Sequence, residues 1–276
     1  MVAPKVADFE VLMRFGQTPP RPPTQGIVAD WAQLPEWTKP FRKGFRLSNS
    51  ATDPLPTLGG IAEWSYVSEV DHNTTLRVTI EVHQGGGQEQ AIESMKRVGR
   101  SASMTPNPFG PTPHSTQLGD YSAMLFPERG GPARDVFWVY YNTFARVRVM
   151  STTVVTFDVM QVARAIQSFM EEHVSTDVPK YLPARLLLPS KPLHVGDVVS
   201  VKLAMTAEAD TATPFILPFY DKGNLLTRRA TRDSKTAEFE AAGAGDAIVG
   251  VVVFDKHTLQ AQRLEGKIEI LPSPQR

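Results

Sequence analysis

The run Val136–Val174, VFWVYYNTFARVRVMSTTVVTFDVMQVARAIQSFMEEHV, changes its hydrophobic period partway along, and this constrains the fold more than any other feature. Ala145, Val147 and Val149 alternate with Phe144, Arg146 and Arg148, as a half-buried strand requires. Upstream, Val136 to Tyr141 is apolar on both faces. With Asn142-Thr143 as a two-residue turn, Tyr140 pairs with Ala145, Trp138 with Val147 and Val136 with Val149. Those six residues form an apolar face assigned to the core. The opposite face holds Phe137, Val139, Tyr141, Phe144, Arg146 and Arg148. From Asp158, a helix cap with Gln161 three residues on, the period becomes helical. Val159, Val162, Ala163, Ile166, Phe169 and Met170 then make one stripe, which needs the apolar face of the hairpin.

The rest of the N-terminal half repeats this alternation of strand and helix. LRVTIEVH, Leu76 to His83, is a strand with Val78, Ile80 and Val82 on one face. Gly85 to Gly87 break it, and QEQAIESMKRV follows with Ala91, Ile92, Met95 and Val98 on a helical stripe. The glycine turn lacks the Lys-Ser/Thr of a P-loop and the dinucleotide spacing, so a flexible helix entry is the better interpretation. Proline-rich stretches, residues 16–26 and 105–120, are surface loops long enough to border a site. STDVPKYLPA, residues 175–184, is a linker. Beyond it ARLLLP, DVVSVKLAMT, TPFILPFY, NLLTRRAT, TAEFEAA, AIVGVVVFD and LEGKIEIL are seven short strands separated by turns. The expected fold is an α+β domain over residues 1–176, an antiparallel sheet with two helices. An all-β immunoglobulin-like sandwich over 185–272 follows it.

Two resemblances accompany these elements. RVTIEVH, the helix from QEQAIESM, LGDYS at Leu118–Ser122, the hairpin and the closing DVMQVARAIQSFMEEH resemble small α+β domains of bacterial extracytoplasmic proteins and lipoproteins. That resemblance implies a non-catalytic domain. LHVGDVVSVKLAM, EFEAAGAGDAIVGVVVFDKHTLQ and GKIEIL are similar to immunoglobulin-like modules of bacterial surface proteins. Such modules imply a spacer, presenter or binder, with no catalytic residues to carry over.

Composition removes several classes of function. The 29 cationic and 29 acidic side chains balance, and residues 185–276 hold 12 and 11 of them, so neither half is a basic nucleic-acid-binding domain. With no cysteine there is no disulfide, thiolate metal site or cysteine nucleophile. No run approaches a membrane span, and the start MVAPKVADFEVLMRFG has no signal core. The expected setting is extracytoplasmic, with a signal peptide absent from this chain; the cytoplasm is the alternative.

Catalytic motifs are equally scarce. GxSxG, SxxK and HExxH do not occur. The six histidines, His72, His83, His114, His173, His194 and His257, show no i,i+4 pair and are expected to be exposed, without a metal. Asp53, Glu63, Asp120 and Glu128 are carboxylates without a pairing rule, and Asp120 after Gly119 is expected to close a turn. Arg228, Arg229 and Arg232 fit a solvated edge strand. The expected function is therefore a binding or assembly module without cofactor or catalytic residue. Its partner would be a protein or cell-surface component, or a second copy. The candidate surface is Phe137, Tyr141, Phe144, Arg146 and Arg148, where rings beside guanidinium groups can stack on a flat ligand or attract an anion. The blander interpretation is that the arginine stems shield the rings. Alternatives are a hydrolase or lyase with its site under the loops at 16–60 and 105–120, and a structural component of a surface layer or virion. Expressed alone, residues 185–276 should give a β-type circular dichroism spectrum; a helical or disordered spectrum would refute the boundary.

Overall fold

The hairpin forms, but its register is two residues from the expected one. The structure, a computed structural model, describes residues 13, 19–22, 24–56, 58–84, 87–104, 111–113, 118–125, 132–151, 156–176, 184–205, 215–230 and 233–273. Residues 16–18, 23, 105–110 and 114–117 of the proline loops, glycines 85 and 86, His114, Glu128, residues 177–183 of the linker, and Arg232 lie outside them. Strands dominate the described residues, in several mostly antiparallel sheets, with three α-helices. The chain divides into two units, Met1–Val178 with His257–Leu259, and Pro179–Lys256 with Gln260–Arg276.

In the first unit the strands are β1 (Gly26–Ile27), β2 (Phe45–Pro54), β3 (Gly59–Ser68), β4 (Thr75–His83), β5 (Pro111–Pro113), β6 (Tyr121–Leu125), β7 (Asp135–Tyr140), β8 (Thr143–Met150) and β9 (Val174–Ser175). Seven of them form one antiparallel sheet in the order β2-β3-β4-β8-β7-β6-β5, and β1 pairs with β9. Val136 faces Val147, Trp138 faces Ala145 and Tyr140 faces Thr143, so the turn is Tyr141-Asn142 rather than Asn142-Thr143. Tyr141 takes φ 52. Because strand side chains repeat every two residues, a slip of two changes every partner but keeps every residue on its expected face.

Both faces of this hairpin are covered, and this corrects the expectation of one open face. Val136, Trp138, Ala145 and Val147 are fully buried, and the helix Val159–Glu172 packs on these strands with Val162, Ala163 and Ile166 buried. Asp158 caps that helix by accepting from Met160 N at 2.9 Å. Phe137, Val139 and Phe144 on the other face join Ala91, Ile92 and Met95 of the helix Gly87–Met104 in one cluster. Two amphipathic helices each need an apolar face, so the sheet's centre is apolar on both sides.

The turn is held by groups distant in sequence. Asp120 Oδ2 accepts from Tyr141 N at 3.1 Å and from Gln88 Nε2 at 2.6 Å. Arg21 donates to the same carboxylate from Nε at 2.9 Å and Nη2 at 2.6 Å, and its guanidinium lies 3.9 Å from the Tyr141 ring centroid. Gly119 precedes Asp120 with φ 54, where a Cβ would meet Val139 O at 2.3 Å; only glycine fits this approach. Asn142 Oδ1 accepts from Ile27 N at 2.8 Å, and a Cβ on Gly26 would lie 2.6 Å from that oxygen.

Among the described residues of the second unit every element is a strand. Its strands are β10 (Ala184–Leu187), β11 (Leu193–His194), β12 (Val198–Met205), β13 (Phe215–Ile216), β14 (Tyr220–Asp221), β15 (Leu226–Arg229), β16 (Thr236–Ala241), β17 (Gly245–Asp255) and β18 (Gln260–Leu271). One sheet runs β10-β12-β16-β15; the other runs β11-β18-β17-β13, with β14 also on β17. Alternate residues of both, including Val201, Phe239, Val249, Val251 and Ile268, share one core. Arg228 and Arg229 lie on the edge strand β15, and Arg229 pairs with Glu240 at 2.8 Å. Val147→Asp should unfold the first unit. It buries an unpartnered charge at a fully buried position, at a cost on the order of 4 kcal/mol or more. A native near-ultraviolet spectrum for that variant would refute the core assignment.

Candidate functional site

The hairpin surface expected from sequence is occupied from within. Phe137 and Phe144 are 0% and 1% exposed, so neither ring can meet a ligand from solvent. Arg146 donates from Nε to Asp135 Oδ1 at 2.9 Å and from Nη2 to Oδ2, and Arg148 Nε lies 3.6 Å from the same carboxylate. The anion that these arginines attract is therefore Asp135, itself buried. Tyr141 does stack on a guanidinium, but it is that of Arg21.

The structure assembles a different site at the end of β4. Ile80 and Val82 point into one core, so Glu81 and His83 point to the face covered by the helix Gly87–Met104. Ser94 and Arg97 are three residues apart on that helix and meet them. Ser94 Oγ donates to Glu81 Oε2 at 2.5 Å and lies 3.3 Å from His83 Nε2. Arg97 Nη2 donates to both Glu81 oxygens at 3.0 Å. The cluster borders an open cleft of about 740 Å³ whose walls add Leu55, Pro56, Gln90, Glu93, Arg100 and Ser101. Glu93 is neutralised by Lys96 at 2.7 Å.

Charge and burial give each group a role. Glu81, His83 and Ser94 are all buried, whereas the Arg97 side chain is 67% exposed. Burial alone would raise the Glu81 pKa; the His83 ring, the Ser94 hydroxyl and the Arg97 charge outweigh it and hold the carboxyl below its ordinary range. His83 Nε2 lies 3.6 Å from Glu81 Oε2, beyond ordinary hydrogen-bond length. Among the described residues the buried His83 Nδ1 has no hydrogen-bond partner. Among the described residues Arg97 engages the protein through Nη2.

His83 corrects the expectation that the histidines are exposed: it is 4% exposed, while His72 and His257 lie at the surface. Among the described residues no three His, Cys, Asp or Glu side chains gather as metal ligands would. Glu81, Ser94 and Arg97 went unnoticed in the sequence because no motif contains them. A signal was present: two ionisable residues at strand spacing directly precede a helix with polar residues beside its apolar stripe.

Compared with known proteins, the chain matches no family model and no curated protein.

Glu81→Gln keeps the shape but removes the charge that Arg97 and Ser94 address. It should destabilise the protein by about 2 kcal/mol at neutral pH. A carboxyl held low in the folded state stabilises fully above its unfolded pKa, and loses that effect as pH falls through its folded pKa. The gap between wild type and variant in urea denaturation should therefore shrink below the ordinary carboxylate range. A gap independent of pH would show that Glu81 is not held ionised by the fold.

Proposed function

We propose that this chain is a non-catalytic binding protein whose cleft takes a small ligand bearing a carboxylate or phosphoryl group. On this view an α+β domain carries the site and an immunoglobulin-like sandwich follows it, in an extracytoplasmic setting. The strand orders β10-β12-β16-β15 and β18-β17-β13 support the sandwich, since they follow the ABED and GFC sheets of constant-type immunoglobulin domains. The two helices on the seven-stranded sheet support the α+β half.

The observation that carries the function is Arg97. It is anchored through one nitrogen on a buried carboxylate and lines a cleft of ligand size. A guanidinium fixed in this way can donate a charge-assisted hydrogen bond to an anion at little entropic cost. Arg100 lies one turn on along the same wall. On this reading the ligand is not held at the hairpin, where Phe137 and Phe144 are buried and Arg146 is paired with Asp135.

Binding fits the cluster better than nucleophilic catalysis. A serine nucleophile needs its proton accepted by His Nε2, with a carboxylate on Nδ1 to orient the ring. Here the carboxylate lies on the Nε2 side, takes the serine proton itself, and is a weak base because its pKa is lowered. Saturating citrate or inorganic phosphate, at about 100 times the dissociation constant, should stabilise the protein by about 2.7 kcal/mol in thermal unfolding. A neutral sugar should leave the melting temperature unchanged, and Arg97→Ala should remove the response. No shift with either anion, or an equal shift in Arg97→Ala, would refute the function.

A second function, a hydrolase with Ser94 as nucleophile, is favoured by the contact of its hydroxyl with both Glu81 and His83. It requires a fluorophosphonate to label Ser94 covalently; an unlabelled Ser94 in folded protein excludes it.

A further inference from the structure

A single residue holds the proline-rich segment on the first unit. Pro19, Pro20, Pro22 and Pro23 carry no N–H, so the Arg21 amide is the one main-chain donor of the run PPRPP. It donates to Gln88 Oε1 at 2.7 Å, and Gln88 is buried. The Arg21 side chain makes the other contacts. Its fork meets both oxygens of Asp120, at 2.9 and 2.6 Å. Its guanidinium lies 3.9 Å from the Tyr141 ring centroid and 5.8 Å from that of Tyr140, and the two rings stand edge to face at 4.8 Å. Pro19, Pro20 and Pro22 are exposed. Among the described residues, the hydrogen bonds that tie residues 19–22 to the sheet and helix are those of Arg21.

This distribution is that of a ligand in a site. Proline rings left in water add little to stability, whereas one arginine is read at its amide, at its fork and at the face of its cation. A carboxylate matches the fork at two nitrogens and a ring takes the charge, a set that lysine cannot complete. Prolines on either side favour an extended chain, so an arginine presented between them loses little freedom on binding. The seat is also built without its occupant. Gln88 Nε2 and Tyr141 N donate to Asp120 Oδ2 at 2.6 and 3.1 Å and aim the carboxylate. Tyr141 presents its ring from φ 52, and backbone strain of this kind persists where the surroundings impose it, commonly at binding sites. The seat opens to solvent, since the Arg21 and Asp120 side chains are 36% and 19% exposed.

We propose that Asp120, Gln88 and Tyr141 form a binding site for an arginine in a proline-rich extended chain, and that residues 19–22 are its internal ligand, displaced by a partner protein that carries the same Pro-Arg-Pro sequence. The segment already seated identifies the occupant. Exchange leaves no polar group of the seat unpaired, because the incoming arginine makes the contacts that Arg21 gives up. None of these side chains lines the cleft at Glu81, so the two sites are distinct.

The test is fluorescence anisotropy of a labelled peptide copying residues 18–24, TPPRPPT, titrated with the full chain. Arg21→Ala vacates the seat and should bind the peptide. Wild type should bind it less tightly, because the internal ligand competes at high effective concentration. Arg21→Lys, a poorer internal ligand, should fall between them and supplies the comparison if Arg21→Ala does not fold. Added to Arg21→Ala, Asp120→Asn should weaken binding about tenfold and Tyr141→Asn about fivefold. Asparagine tolerates the positive φ, so the second of these keeps the turn. A peptide with lysine in place of the arginine should bind poorly to every form. Circular dichroism should show the variants folded. No binding to a folded variant at Arg21 overturns the proposal, as does binding that neither Asp120→Asn nor Tyr141→Asn weakens. Equal affinity of wild type and Arg21→Ala overturns the internal-ligand role. A wild-type dimer that Arg21→Ala dissociates would overturn it in favour of exchange of residues 19–22 between two copies.

Discussion

The carboxylate of Asp120 gathers four donors from three parts of the chain: the Tyr141 amide, the Gln88 side chain and two nitrogens of Arg21. The hairpin turn, the start of the helix Gly87–Met104 and the proline-rich segment are thereby fixed around one acid. The hairpin register depends on it, because a turn at Tyr141-Asn142 uses a non-glycine residue at positive φ, which a free peptide disfavours. Asn142 completes the restraint from the other side by accepting from Ile27 N. With the turn held, β7 and β8 present one face to each long helix, and the end of β4 carries Glu81 and His83 beneath Ser94.

Much of this was legible wherever a periodic pattern had one solution. The stripes from Ala91 to Val98 and from Val159 to Met170 are helices with those residues largely buried, and the alternation in Val136–Val149 predicts which residues share a face. The register was not legible, since Asn142-Thr143 is the better local turn and the contacts that override it come from Arg21, 99 residues away from Asp120. The second covered face was missed for a related reason. Arginines at 146 and 148 resemble solvent-facing positions until Asp135 is seen between them. The candidate site was the least legible part. Glu81, His83, Ser94 and Arg97 form no motif, and their meeting depends on how one helix crosses one strand.

The second unit achieves its core without a cross-link. Val249, Val251 and Val253 of β17 lie opposite Val201 and Phe239 of the other sheet, and all are essentially inaccessible. Two sheets without a disulfide between them leave the core intolerant of lost volume, because no covalent bridge limits the unfolded chain.

The strap around Arg21 also has a temporal side. A ribosome releases Arg21 long before Asp120 exists, and at about 5–20 residues per second the interval is roughly 5–20 s. Until Gln88 and then Asp120 emerge, Arg21 lacks the partners of its amide and its guanidinium. The prolines of the N-terminal stretch, which cannot donate to a sheet ladder, make it a poor template for premature strand pairing while it waits. The segment that locks the domain is thus composed so as to remain inert until the rest of the sheet has been synthesised.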